Sequence, residues 1–150
     1  MLGSVSVMPL DPGLSGRTFD PTPPYAVNRE KIAEFTAAIG SPALDAGDTA
    51  PLTFPIVLAF GAMTQLMTDP SVGIQLQNVV HGDQRFEYTR PVRAGDVLTA
   101  TITIDSLRAA AGMDMIGTRT EITTVEGEAV ATAFATLVHR APVEDEDGAA

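Results

Sequence analysis

Between Phe54 and Met63 the chain holds eight apolar residues in ten positions: Phe54, Ile56, Val57, Leu58, Ala59, Phe60, Ala62 and Met63. Thr53 stands before this run as a helix N-cap, and Pro55 falls in the first turn, where a missing N–H costs little. Thr68, Asp69 and Pro70 mark its end. The run is about half of the ~20 residues needed to cross a bilayer. A helix with no polar face is expected to be buried on all sides. The rest of the chain must therefore supply a wrapping. At 150 residues it can bury roughly 68–70% of its unfolded surface, and it does so without disulfides, having no cysteine.

After the helix the chain becomes strand-like. Val79 to Tyr88 reads as the first strand. Leu98, Ala100, Ile102 and Ile104 then alternate with Thr99, Thr101, Thr103 and Asp105, a period of two. Ala111 and Gly112 signal a turn, Met113 to Val125 a third strand, Glu126 and Gly127 a second turn, and Ala129 to His139 a fourth strand. Ala129, Ala131, Ala133 and Ala135 share one face of that last strand, small enough to let a thick helix lie close. The expectation is an antiparallel meander curved around one central helix. That α+β arrangement resembles the hot-dog fold, here as a single unit without internal repeat, and dimerisation is the default for a wrapped sheet with open edges.

The flanks are simpler. Residues 1–16 read as a flexible leader, and Leu10 to Pro24, with four prolines and two glycines, as an extended stretch without regular structure. Asn28 caps a first helix that shows Ile32, Phe35 and Ile39 to the core and stops at Gly40, Ser41 and Pro42. The folded domain is expected over 17–141. The net charge is −10, from nine Lys+Arg against nineteen Asp+Glu. Four of those acids, Glu144, Asp145, Glu146 and Asp147, fall in a segment, 142–150, that reads as a disordered acidic tail. Such a balance opposes nucleic-acid binding. With no membrane-length apolar run and no basic residue before Arg17, the expected location is the cytoplasm.

Two stretches carry more than pattern. One is Ala50, Pro51, Leu52, Thr53, Phe54, Pro55. The other is Val80, His81, Gly82, Asp83, Gln84, Arg85, Phe86, Glu87, Tyr88, running into Arg90, Pro91, Val92, Arg93, Ala94, Gly95, Asp96. From about Arg17 to Arg140 the chain resembles the MaoC-like dehydratase/hydratase family. The nearest likeness is to its N-terminal-type domain, the non-catalytic subunit of actinobacterial (3R)-hydroxyacyl-ACP dehydratases. The resemblance implies an acyl thioester substrate, on acyl carrier protein or coenzyme A, and a homodimer or a heterodimer with a catalytic hot-dog subunit.

Active members of that family carry an aspartate and a histidine in a GDxNPxH-like run between the two helices. Here that interval holds only Asp45 and Asp48, with neither asparagine nor histidine. No independent catalytic residue is assigned; His81, Asp45 and Asp48 are the weak candidates, each with a plain structural alternative. The resemblance places substrate contacts at Thr53, Phe54, Val57, His81, Gly82 and Gln84. Unpaired N–H groups at the start of the buried helix would face the thioester carbonyl. Phe54, Val57, Leu58, Phe60 and Met63 are candidates for an acyl-chain wall, most of them doubling as core. Gly82 inside a strand suggests a bulge or a close backbone approach. Arg90 to Asp96 reads as a turn joining two strands, and His139 as a structural residue. No phosphate-cradling loop, dinucleotide fingerprint or metal-ligand cluster stands in the sequence, so no cofactor and no metal are expected.

The functional expectation is thus a substrate-binding subunit of a (3R)-hydroxyacyl-thioester dehydratase. The alternatives are a self-sufficient hydratase or thioesterase-like enzyme, and a non-catalytic acyl-thioester binder.

Overall fold

The computed structural model describes residues 5–7, 9–141 and 143–145. In chain order they form β1 (Val5–Val7), β2 (Tyr25–Ala26), α1 (Arg29–Ala38), α2 (Ile56–Thr68), β3 (Val79–Tyr88), β4 (Val97–Ala110), β5 (Met113–Thr124), β6 (Ala129–Arg140) and β7 (Val143–Asp145). Five strands make one antiparallel sheet in the order β2-β4-β5-β6-β3, and β1 pairs with β7 separately. Curled around α2, this sheet is the hot-dog arrangement, and the four long strands lie where alternation and turn residues put them. The tight β4–β5 hairpin has both loop residues, Ala111 (φ 52°) and Gly112 (φ 77°), left-handed, as a two-residue turn between twisted strands requires.

The connectivity is not a simple meander. β4, β5 and β6 follow one another, but β3 pairs with β6 at the far edge. Residues 89–96 therefore cross the end of the sheet rather than closing a hairpin. Arg90 holds this crossover. Its guanidinium reaches both Asp96 carboxylate oxygens at 3.0 Å and Glu128 of the β5–β6 hairpin at 2.8 Å.

α1 begins as expected, with the Asn28 side chain accepting from the Lys31 N–H at 2.9 Å. Ile39, expected in the core, sits at the helix C-cap and is 49% exposed. Two expectations about α2 are corrected. Thr53 does not cap it: the N-cap position is Pro55, without a side-chain hydrogen bond, and the turns before it use backbone only. Nor is the helix buried on all sides. Leu58, Ala59, Ala62, Met63 and Leu66 are buried, whereas Phe60 is 54% exposed and Gly61 and Thr64 face outward. One chain supplies one concave sheet, which covers one flank of the helix.

That flank rests chiefly on β4 and in part on β5. Ala131, Ala133 and Ala135 are buried on the inner face of β6, while Ala129 at the strand's start is exposed. Ala133→Leu overfills the core on the inner face of β6 and is expected to cost about 1–3 kcal/mol, read as a lower urea midpoint with unchanged slope. An unshifted midpoint would mean that this face of β6 is not close-packed.

The proline-rich stretch contains a short 3-10 turn, Pro12–Leu14, and Leu10 and Leu14 are buried within the expected leader. Gly16 to Val27 then runs along β4, through Gly16 N–H to the Ile104 carbonyl at 2.7 Å, Phe19 to Ile102 at 2.9 Å and Thr22 to Ala100 at 2.9 Å. The β4 edge is thereby covered by the chain itself. Among the described residues nothing pairs with the outer edge of β3. Of the leader expected over 1–16, residues 1–4 and 8 lie outside the described residues. Of the acidic tail expected over 142–150, only 143–145 are described, as β7; 142 and 146–150 lie outside the described residues.

Candidate functional site

The register of β3 against β6 slips between His81 and Asp83, so Gly82 occupies a β-bulge. The extra residue has a direct chemical consequence. In a regular strand, residues three apart point to opposite faces; across the bulge, His81 pairs with Leu137 and Gln84 with Ala135, both on the inner, helix-side face. His81 Nε2 and Gln84 Oε1 are then 3.1 Å apart. An amide oxygen only accepts, so Nε2 donates to it, and Nδ1 has no partner among the described residues. A Cβ on Gly82 would lie 3.2 Å from the Thr136 carbonyl oxygen. Glycine permits that close approach.

The aspartates are elsewhere. Asp48 bonds Arg29 Nη1 at 2.8 Å, and Asp45 accepts from the Thr49 hydroxyl at 2.8 Å. Asp45 (φ 48°) and Ala46 (φ 52°) are both left-handed, a strained pair that Arg29 braces by donating to the Ala46 carbonyl at 2.7 Å. This loop joins the crossover through Ala50 N–H to the Val92 carbonyl and Ala94 N–H to Asp48, beyond the Tyr88 end of β3. His81 lies six register steps from Tyr88, or about 20 Å. Within one chain, then, His81 and the two aspartates are not brought together.

The helix start lies at that same distant end. The Tyr88 hydroxyl donates to the Leu52 carbonyl, and burial pushes its phenol up to about 12, so it remains a donor at neutral pH. The N–H groups expected to be free are partly used: Phe54 donates to Pro51 at 2.9 Å, Ile56 to Thr53 at 3.1 Å and Val57 to Phe54 at 3.0 Å. Phe54 is 1% exposed and packs edge-on against Phe35 at 5.4 Å, which makes it core rather than a substrate contact. Thr53 is exposed. Val57 lines a cavity of about 290 Å³ with Thr22, Tyr25, Leu58, Gly61 and Gln65. Sequence reasoning missed this cavity, because its other wall is the Pro23–Tyr25 segment, some thirty residues away in the chain.

It also missed a buried polar pair. His139 and Asp114 are both fully buried on the inner face, with Nδ1 3.2 Å from Asp114 Oδ2. The Gln75 N–H donates to His139 Nε2 at 3.1 Å and the Leu10 N–H to Asp114 Oδ1 at 3.3 Å. With Nε2 accepting, Nδ1 is the donor to Asp114. The pair pins two covering segments to the sheet, in keeping with a structural His139. Among the described residues no cluster of three or more His, Asp or Glu could hold a metal ion, and no helix is long and apolar enough to cross a membrane.

A curled sheet on one helix, with a bulged histidine strand at its open edge, defines a MaoC-like hot-dog protein. Residues 14–133 match the family described as FAS1-like, dehydratase domain region, and the chain belongs to this dehydratase family. It is 46% identical to a UPF0336 protein of Streptomyces avermitilis, over 91% of this chain and 99% of that one. Among solved structures it resembles a chain of the C-terminally truncated HadBC (3R-hydroxyacyl-ACP dehydratase) complex of Mycobacterium tuberculosis, with TM-score 0.68 and 31% identity. That match covers 83% of this chain and 96% of that one. A protein described as a MaoC-like dehydratase matches with TM-score 0.72 and 29% identity, over 85% of this chain but 42% of that one.

Proposed function

We propose that this chain is the acyl-binding subunit of a (3R)-hydroxyacyl-thioester dehydratase, and that a partner hot-dog chain supplies the acid–base pair. One observation carries the reading. His81 is bonded to an amide rather than to a carboxylate, and the candidate aspartates are tied into their own loop about 20 Å along the sheet. Dehydration needs an acid and a base at one carbon–oxygen centre, and the Asp114–His139 pair is fully buried and held by Gln75 and Leu10, out of reach of a substrate.

What the chain offers is a seat. The cavity beside Val57 and Gly61 suits an acyl group. Thr53 lies at the start of its helix; His81, Gly82 and Gln84 stand apart from this cavity, on β3 at the opposite edge of the sheet, where the partnerless His81 Nδ1 can meet the thioester arm. The uncovered β3 edge and the bare flank of α2 with Phe60 suit a second hot-dog unit. The HadBC complex, described as a (3R)-hydroxyacyl-ACP dehydratase complex, and the MaoC-like dehydratase more than twice this chain's matched span support such a pairing. The free Nδ1 also gives a second reading some footing: a self-sufficient homodimeric hydratase or thioesterase-like enzyme with His81 as sole base.

Hydration of a trans-2-enoyl thioester tests this. Turnover is expected to be at least about 100-fold higher when the chain is mixed with a hot-dog partner bearing the Asp/His run than for the chain alone. His81→Ala in the mixture should raise KM and leave kcat nearly unchanged. Turnover by the chain alone, lost in His81→Ala, would transfer the function to the second reading. Tight thioester binding without turnover in either case would leave a non-catalytic binder.

A further inference from the structure

His81 and Gln84 meet because the extra residue of β3 falls at Gly82, and a slipped ladder offers other places for it. Moved two residues onward, Gln84 would itself be the extra residue and Asp83 would pair with Ala135, turned inward. Moved two residues back, His81 would pair with Val138, on the outer face. Either shift parts the two side chains, so the slip must be held between His81 and Asp83.

Two contacts hold it there, both to Thr136 of β6, the residue opposite Asp83. The Thr136 carbonyl oxygen lies 3.2 Å from where a Cβ on Gly82 would stand, a place open to glycine and closed to a side chain. The Thr136 N–H donates to Asp83 Oδ1 at 2.9 Å. A bulge interrupts the ladder, and at this interruption a carboxylate supplies the acceptor, in a charge-assisted bond stronger than an amide–carbonyl one. The carboxylate is not drawn off by its neighbour. Arg85 shares the outer face, yet its guanidinium stacks on Phe134 at 4.3 Å and pairs with Glu87 at 3.8 Å. Among the described residues Asp83 forms no ion pair.

We infer that Asp83 is a positioning residue: its carboxylate pins the bulge through the Thr136 N–H and so sets His81 beside Gln84 on the helix-side face. It acts from the opposite face of the sheet and touches no substrate itself. The inference deepens the function proposed above and rests on it for the contact between His81 and the thioester arm; the pinning stands on the backbone geometry alone. A histidine held in one place before the thioester arrives loses less freedom on binding it.

The test uses the full chain. Proton NMR contacts between the His81 ring and the Gln84 side chain are expected in wild type and in Asp83→Asn, which keeps an acceptor oxygen, and should be lost in Asp83→Ala. In the mixture with the catalytic partner, Asp83→Ala should raise KM for a trans-2-enoyl thioester about threefold to tenfold and leave kcat within about twofold, with Asp83→Asn near wild type. In a His81→Ala background Asp83→Ala should add nothing further, because the two act as one unit. Persistence of the His81–Gln84 contacts in Asp83→Ala, or a KM rise of the same size in the His81→Ala background, would overturn the assignment. A His81→Ala variant with unchanged KM would instead count against the acyl-binding reading, while the NMR contacts still decide the pinning.

Discussion

Asp114→Ala should destabilise the fold by about 3–4 kcal/mol, a Tm drop of roughly 10 °C for a chain of this size. The side chain is fully buried and accepts two hydrogen bonds, from His139 Nδ1 and the Leu10 N–H. Removing it strands both donors where no water reaches, and an unsatisfied buried donor costs about 1–3 kcal/mol. It also frees two coverings of the sheet, the segment at Leu10 and the one that His139 holds through Gln75. Asp114→Asn keeps one acceptor oxygen and should recover about half the loss. Replacing both partners with apolar residues of similar volume should recover more, since no polar group is then left over. Chemical unfolding measures all three. A loss below about 1 kcal/mol in Asp114→Ala would show that the pair does not bind these segments together.

The second large effect is at the crossover. Arg90→Ala should lose about 2–4 kcal/mol, because Arg90 and Asp96 are only 21% and 14% exposed and bonded by two parallel contacts. Arg90→Lys should rescue little: one ammonium cannot reproduce the bidentate fork and also reach Glu128. Burial acts to raise the Asp96 carboxyl pKa, but hydrogen bonds from Arg90 and the Arg93 N–H, with both charges, outweigh it and hold the value below the usual range. A carboxyl depressed in the folded state contributes its stability above the unfolded pKa of about 3.9 and loses it as pH falls toward the folded value. The gap between wild type and Arg90→Ala should therefore stay level near neutral pH and shrink below about pH 4. A gap that widened in acid would exclude the ion pair as its source.

The motif from Arg90 to Asp96 shows how far the sequence could be read. Its residue types announced a tight reversal, and a reversal is there. That it bridges β3 to a strand three places away in the sheet depends on which strand fills each slot, which no local pattern states. His81 and Gln84 illustrate the same boundary. Gly82 signalled a bulge in advance, yet only the slipped register against β6 brings the two side chains to one face. Asp114 and His139 are 25 residues apart, in strands whose alternation says nothing of a pairing between them. Their pairing is a cross-strand event. Ile39 and Phe60 erred the other way: helical spacing marked them as apolar-face residues, but the covering surface ends before it reaches them.

By itself the sequence determined the elements, because alternation at period two, helical spacing and turn residues are consequences of backbone geometry within a few residues. It also determined that the loop between the two helices holds no histidine. The tertiary structure alone decided that β3 is the uncovered edge, that one flank of α2 is bare, and that the aspartates and His81 stand at opposite ends of a strand. Those facts depend on how distant segments close on one another, and closure is settled by the summed burial of the whole chain rather than by any stretch of it.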